Sequence, residues 1–391
     1  MNKALADLIK ISNITGKDTT LVQGGGGNTS VKTADGKYMY IKASGTALKD
    51  MNKKKGWRRM RLAPVLSIIE DKSLAKLEAG KREPEVVDRL LLACDDKVKG
   101  GARPSVEAHL HSILGKYVIH LHPLVVAAYV NAKKGNAEIE KLFKNEKFPP
   151  LWVPYTDPGF MLAKKIARLV GDYQNRFGKM PAIMILEKHG LFVTAETSEA
   201  ALRLVRKVIK LCSSKLKEPK PRKTRLPSEK DIAAAKSAVR KAVVDATGQK
   251  MPVSYFTITK PIAAFMARKD AAKLLATPAL NPDELVYANG SAMWLENCDV
   301  KTVTGKLASL LNKGQKPAAA FIVKGVGLFV AADKKTATVI AQITTCSVLI
   351  RMYAQKFGGI LALTKRQQDF INNWESEAFR KKLASSKKGK N

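Results

Sequence analysis

One segment occurs twice in this chain, and that repetition restricts the architecture more than any other feature. PAIMILEKHGLFVTAET begins at Pro181 and PAAAFIVKGVGLFVAAD at Pro317. Each holds two short apolar runs separated by turn residues, followed by a long stretch of apolar periodicity, which reads as strand, turn, strand and helix. Aligned without a gap, Lys188-His189-Gly190-Leu191-Phe192-Val193 falls on Gly325-Val326-Gly327-Leu328-Phe329-Val330. The second copy keeps the fold signal and lacks the histidine. A degenerate partial duplication explains this; common strand preference is the competing explanation. Between the copies, residues 215–228 (KLKEPKPRKTRLPS) are rich in Pro, Lys and Arg and have no apolar periodicity, as a solvated linker does. We therefore expect a first domain over 1–215, a basic linker over 216–228, and a smaller, degenerate α/β domain over 229–391 that ends in a basic tail. With 45% hydrophobic residues, 391 residues suffice for two cores.

The first domain alternates helical and strand patterns. Apolar residues at Leu5, Leu8, Ile9 and Ile11 predict a helix over 4–14. Further helices are expected over 85–93, 106–114, 157–170 and 198–216. Strands are expected over 30–32, 38–42, 118–122, 181–186 and 191–194, giving a mixed layered sandwich rather than a doubly wound dinucleotide fold. No unbroken apolar run reaches the roughly 18 residues of a membrane span, and the start MNKALADLIKISN lacks the apolar core of a signal peptide. The expectation is a cytoplasmic protein without a membrane partner. Cys94, Cys212, Cys298 and Cys346 are far apart, form no CxxC pair, and read as reduced structural thiols.

The formal charge of +35 by itself suggests nucleic acid, an anionic surface or an acidic ligand. The lysines are spread along the chain, however, with concentrations at 53–61, 215–225 and 381–390, and aromatic residues, only 6% of the chain, are not interleaved with them. That distribution argues against a specific nucleic-acid role and agrees with attraction of a phosphorylated substrate.

The five histidines are His109, His111, His120, His122 and His189, four of them within fourteen residues. His120 and His122 sit two apart on a strand-like run, so both project from one face and can share a metal. His189, arriving from a different strand, offers a third neutral nitrogen, and three nitrogens leave the open position that catalytic zinc requires. An ordinary pair of strand histidines on a solvated face is the alternative. Glu107 and His111 are four apart in a helix-favouring stretch and are expected on one helix face. A carboxylate beside a divalent cation is suited to moving a proton; the alternative is a surface Glu near a helix start capped by Ser105. Gln23-Gly24-Gly25-Gly26-Gly27-Asn28-Thr29-Ser30 permits close backbone approach to an anion but is neither a Walker loop nor a dinucleotide fingerprint. Ala43-Ser44-Gly45-Thr46 and Ser105 add hydroxyls and amides, so the three loops are able to hold a phosphate together, or are simply turns.

In order and spacing, Gly-Gly-Gly-Asn-Thr-Ser-Val-Lys (25–32), Lys-Ala-Ser-Gly-Thr (42–46), Pro-Ser-Val-Glu-Ala-His-Leu-His (104–111), Val-Ile-His-Leu-His-Pro (118–123) and Lys-His-Gly-Leu (188–191) resemble the class II aldolase/adducin domain over residues 4–215. The nearest likeness is to the aldolase half of bifunctional rhamnulose-1-phosphate aldolase/alcohol dehydrogenase proteins. It continues weakly over 228–385, including Phe370-Ile371-Asn372-Asn373-Trp374-Glu375-Ser376-Glu377, and the dehydrogenase half is expected to be missing. The resemblance implies an α/β/α three-layer sandwich with a mixed sheet. It implies Zn2+, or another divalent metal, on His120, His122 and His189, with Glu107 at the metal and acting as acid/base. It also implies a phosphate cradle of Asn28, Ser44, Gly45 and Ser105. His111 would stand behind the ligands, and His109 would take no part in the chemistry. The implied reaction is cleavage of a ketose 1-phosphate of the rhamnulose or fuculose type to dihydroxyacetone phosphate and an aldehyde, in a homotetramer or another oligomer. Two departures bear on this. Ser105-Val106-Glu107 replaces the family's Ser-Ser-Glu, which leaves the phosphorylation state of the substrate open. No tyrosine falls on the catalytic tyrosine that the family draws from a neighbouring subunit; Tyr129 and Tyr155 stay unassigned. The same site would also serve a sugar-phosphate epimerase, decarboxylase or dehydratase, and a non-catalytic adducin-like binding protein is the third reading.

Overall fold

The computed structural model describes residues 2–96, 102–219 and 226–374. The basic tail at 381–390, the middle of the basic linker at 220–225 and the motif residues 375–377 lie outside the described residues. The chain divides into two compact units. The first comprises the residues up to Val130, Lys134–Lys215 and the described residues from Asp369 onward; the second comprises Asn131–Lys133 and Leu216–Gln368.

The first unit is built on a seven-stranded mixed sheet. Its strands are β1 (Asn28–Lys32), β2 (Tyr38–Lys42), β3 (Trp57–Arg61), β4 (Tyr117–Leu121), β5 (Leu151–Val153), β6 (Ile183–Leu186) and β7 (Gly190–Ala195). They lie in the order β3-β2-β1-β4-β7-β6-β5, all antiparallel except the β5/β6 pair. Helices Leu62–Glu70, Ala79–Ala93 and Phe160–Phe177 bury apolar residues against one face, where Met39, Ile41, Met60, Val118, Met184 and Phe192 meet them. Helices Lys3–Gly16, Leu124–Val130 and Ser198–Ser213 pack on strands β1, β2, β4, β6 and β7. The result is the expected α/β/α sandwich with a mixed sheet.

Local chemistry explains the helix ends. Asn2 accepts from the Ala4 amide at 2.9 Å and opens the first helix, whose Leu5, Leu8 and Ile11 are buried. Thr197 accepts from Ala200 N at 3.2 Å and opens Ser198–Ser213. The helix expected over 157–170 begins only at Phe160, because Pro158 disfavours helical backbone before it and Gly159 sits at φ +105. The helix expected over 106–114 is only Ala108–Ser112. Glu107 lies at its boundary with φ −92 and ψ 9, its amide donating to Ser105 Oγ at 3.3 Å. Glu107 is therefore the N-cap rather than an interior helix residue, and its carbonyl accepts from the His111 amide at 3.0 Å. The basic concentration at 53–61 contains an edge strand, β3, and the apolar helix Leu62–Glu70 follows it.

The second unit carries a four-stranded sheet of β8 (Val253–Phe256), β9 (Met293–Leu295), β10 (Ala320–Val323) and β11 (Gly327–Ala331), in the order β8-β11-β10-β9. Helices Glu229–Thr247 and Val300–Asn312 bury Val239, Val243, Val303 and Leu307 against Phe321, Val323 and Phe329. Ser228 and Asp231 form a capping box at the start of Glu229–Thr247. Among the described residues, one helical stretch, Lys334–Phe357, is long and apolar enough by composition to cross a membrane, and 72% of its most apolar window is buried. Within it Arg351, fully buried, pairs with Glu284 at 2.9 Å and donates to Ser347, Ser291 and the carbonyls of Leu274 and Pro278. Such a satisfied ionic network marks a core helix.

Candidate metal centre

Antiparallel pairing of β4 with β7 assembles the site. Register sets His120 opposite Phe192 and Leu121 opposite Leu191, so the turn that carries His189 arrives beside the end of β4, where His122 follows the last strand residue. The turn is specified by its backbone. Lys188 takes the left-handed conformation at φ +56, and Gly190 allows the close crossing. A Cβ at Gly190 would lie 2.4 Å from the Leu121 carbonyl oxygen and 2.9 Å from His122 Cδ2.

The three imidazoles converge. His120, His122 and His189 each place a ring nitrogen within 4.8 Å of the other two, and the Nε2 atoms of His120 and His122 are 3.1 Å apart. Tetrahedral coordination at the usual zinc–nitrogen length of about 2.0–2.1 Å separates ligand nitrogens by roughly 3.4 Å, so the spacing suits one cation after small rotations. His120 Nδ1 lies 3.0 Å from the Leu191 carbonyl and so carries the proton, which leaves the Nε2 lone pair facing the other two rings. Phe192 stacks on His120 at 4.0 Å, and the edge of His111 meets Phe192 at 5.5 Å. His111 Nδ1 is in turn 2.8 Å from Ser30 Oγ. His111 thus stands behind His120 through an aromatic ring.

Glu107 completes the cluster. Its Oε2 is 3.6 Å from His120 Nε2 and its Oε1 is 3.7 Å from His189 Nε2. Asn28 donates its side-chain amide to Oε2 at 2.5 Å, whereas the buried Oε1 has no hydrogen-bond partner among the described residues. Burial works against ionisation of this carboxyl, but the charges of His120 and His189 and the Asn28 amide prevail and hold it down at about 2. Burial also takes His120 well below its ordinary value, against the opposing field of Glu107. At neutral pH Glu107 is thus a carboxylate, and His120 beside it is a neutral nitrogen donor. A buried carboxylate oxygen without a donor, aimed at lone pairs, fits a divalent cation and is costly without one.

The remaining loops meet near this edge of the sheet. Ala43 forms a bridge with Pro104; Ser44 N donates to the Arg103 carbonyl and Ser105 N to that of Lys42, both at 2.9 Å. Ser44 Oγ donates to the Pro104 carbonyl at 3.1 Å, and Gly45 is left-handed at φ +78. Ser105 touches Glu107 rather than capping an exposed helix, and both are buried. The buried Lys42, unassigned from sequence, donates from Nζ to the Gly25 carbonyl at 3.1 Å and ties the glycine-rich loop to the 43–46 loop. Its signal is a lysine closing an otherwise apolar strand. Asn28, expected in the cradle, spends its amide on Glu107. His109 lies apart from the ligands, stacked on Phe160 at 6.4 Å. Tyr129 donates to the Cys212 carbonyl at 2.8 Å and Tyr155 to Asp157 at 3.1 Å.

Fold and site define an α/β protein with three histidines and one carboxylate gathered where they could hold a divalent cation. Residues 6–216, more than half the chain, match the family described as Class II Aldolase and Adducin N-terminal domain, and the chain belongs to that family. A relative in Bacillus subtilis (strain 168), described as the uncharacterized oxidoreductase YuxG, is 28% identical over 332 residues, covering 80% of this chain and 45% of the relative. The chain thus spans less than half the length of that relative. Among solved structures, the N-terminal class II aldolase domain of a conserved protein from Thermoplasma acidophilum is similar with 27% identity and a TM-score of 0.44, over 55% of this chain and 94% of that one. An L-fuculose-1-phosphate aldolase from Thermus thermophilus is similar with 16% identity and a TM-score of 0.33, over 55% and 93%.

Proposed function

We propose that the first unit is a zinc-dependent aldolase that cleaves a ketose 1-phosphate of the rhamnulose or fuculose type to dihydroxyacetone phosphate and an aldehyde. The observation that carries this is the convergence of His120, His122 and His189 on one point with the buried, half-satisfied Glu107 carboxylate beside it. A divalent metal bound there supplies a Lewis acid for the adjacent carbonyl and hydroxyl oxygens of the ketose. Glu107 returns a proton to the carbon released when the carbon–carbon bond breaks, and removes it in the condensation direction. Asn28 holds the carboxylate in place through its amide. Ser44, Gly45 and Ser105, with Lys42 beneath the two loops, bind the phosphate and fix the substrate's orientation, which supports several kcal/mol of barrier lowering. An oxidoreductase step such as the Bacillus relative's description suggests would belong to the part of that protein beyond the aligned region. The likeness to oligomeric aldolases makes a homo-oligomer, with the missing tyrosine supplied across an interface, part of the proposal.

The test combines metal analysis with a screen of phosphorylated and free ketoses for aldehyde release. His120→Ala should lose metal and activity together; Glu107→Gln should keep the metal and lose turnover. Bound metal without aldehyde release from any ketose, but with interconversion of pentulose phosphates, would move the assignment to an epimerase. Metal-free wild-type protein that binds polyanions in a salt-sensitive way would move it to an adducin-like binding protein.

A further inference from the structure

We propose that the second unit is a silent copy of the metal-bearing half of the first, with Tyr255, Thr257 and Val326 standing where His120, His122 and His189 stand, so that the chain holds one metal centre of this kind and the vestige of another. The inference rests on the metal reading of the histidine site.

The two sheets correspond strand by strand. The run β4-β7-β6-β5 in the first unit and the sheet β8-β11-β10-β9 in the second share the pattern antiparallel, antiparallel, parallel. Register agrees as well as order. Ile183 faces Val193 and Leu186 faces Gly190; Ala320 faces Val330 and Val323 faces Gly327. The parallel neighbour sets a tryptophan against an isoleucine in both, Trp152 on Ile185 and Trp294 on Ile322. The connections agree too: a seven-residue helix follows the first strand of each set, Leu124–Val130 after β4 and Lys260–Met266 after β8. A chance match of Gly-Leu-Phe-Val would not reproduce order, register and connections together.

This register identifies the replacements. Phe192 pairs with His120 and Phe329 with Tyr255. In each case the ring lies against its phenylalanine, His120 at 4.0 Å and Tyr255 at 5.3 Å. Two residues further along stand His122 and Thr257, each just past its strand. In the turns, His189 corresponds to Val326, and the preceding residue is left-handed in both, Lys188 at φ +56 and Gly325 at φ +75. A glycine opens the next strand in both units, Gly190 and Gly327, and in both a Cβ would crowd a neighbouring side chain. The contacts of the two glycines differ in detail: a Cβ at Gly190 would meet His122 Cδ2 at 2.9 Å, whereas one at Gly327 would meet Cε2 of Tyr255, the counterpart of His120, at 3.0 Å. The Tyr255 hydroxyl lies 3.4 Å from the Val326 carbonyl. A phenol, a threonine hydroxyl and an isopropyl group offer no imidazole nitrogen, so divalent zinc loses its preferred donors here. The strand that carries Asn28 has no counterpart in the four-stranded sheet.

The test restores the donors. The full chain with Tyr255→His, Thr257→His and Val326→His is loaded with Zn2+, dialysed, and assayed for metal per chain; Co2+ absorption reports the ligand field. Wild type is expected to hold one metal and the triple variant two. The triple variant combined with His120→Ala and His122→Ala should hold one, with no aldehyde release. A folded triple variant with wild-type metal content overturns the inference. Metal-free wild type beside a triple variant that gains one metal would refute the reading of the natural site and uphold the copy. Should the triple variant not fold, the reciprocal exchange decides: His120→Tyr, His122→Thr and His189→Val should leave a folded, metal-free protein, and its unfolding would show the positions not to be interchangeable. In the same way, Lys188→Gly should keep or raise the melting temperature, whereas a clear fall would show that the two turns are not equivalent.

Discussion

Replacement of the buried His109 by leucine should change how the protein responds to acid. His109 is 1% exposed, and burial pushes its imidazole down to about 4 from an ordinary 6.5, with the Glu107 charge opposing. A histidine held lower in the folded state binds fewer protons there than in the unfolded chain between those two values. Stability is therefore lost as pH falls below 6.5, and the loss is complete once pH passes the folded value near 4. Integrating from pH 7 to pH 5 gives a loss of about 2 kcal/mol for this one group. In His109→Leu that contribution vanishes. The variant should be within about 1.5 kcal/mol of wild type at pH 7, because the volume change is small, and should fall less on acidification by about 2 kcal/mol. Urea unfolding at both pH values, in metal-free protein so that acid-driven metal release does not intrude and the other histidines contribute alike to both proteins, measures the difference. Equal acid sensitivity in wild type and variant would refute the reasoning, since it would mean that His109 titrates alike folded and unfolded.

Three further outcomes follow from single contacts. Gly190→Ala should displace the His122 ring and the Leu121 carbonyl, costing about 1–3 kcal/mol of stability and weakening metal binding on the order of 10-fold or more; wild-type zinc affinity in a competition titration would contradict it. Asn28→Leu should keep the metal but lower kcat on the order of 10- to 100-fold, because Glu107 loses its positioning donor; full activity at full metal content would show that the amide is dispensable. Arg351→Met should destabilise the second unit by about 3–5 kcal/mol, since Glu284 would be left buried without its cation; a chemical-unfolding midpoint equal to wild type would refute that.

How much of the site was legible depended on the distance in sequence over which each contact forms. The facing of His120 and His122 follows from the two-residue period of a strand, a local rule. The turn around His189 was visible because its copy at 325–327 repeats it with glycine at the left-handed position. The Glu107 assignment is different. Helical spacing relates it to His111, whose amide donates to the Glu107 carbonyl, but the sequence does not show that Glu107 is the helix cap, bonded through its amide to Ser105 and through its carboxylate to Asn28. Asn28 reaches Glu107 because β1 pairs with β4, setting Asn28 opposite His120. The helix Leu62–Glu70 escaped detection because it is apolar on most sides and follows a cationic edge strand, so neither period stands out.

By itself, then, the order of residues determined the alternation of elements, the histidine set and the repetition of a strand-turn-strand unit, because turn chemistry and side-chain period act within a few residues. Folding decided which of these groups come together. The Leu191 carbonyl that orients His120 lies 71 residues along the chain from it, and the next residue, Phe192, stacks on the same ring. Glu107 comes to rest between two imidazoles carried by separate segments. Such meetings are set by strand order and register, which many sequences share and no local pattern encodes. The same register extends a short likeness between two halves of the chain to matched strand pairs, with Tyr255 opposite Phe329 as His120 is opposite Phe192.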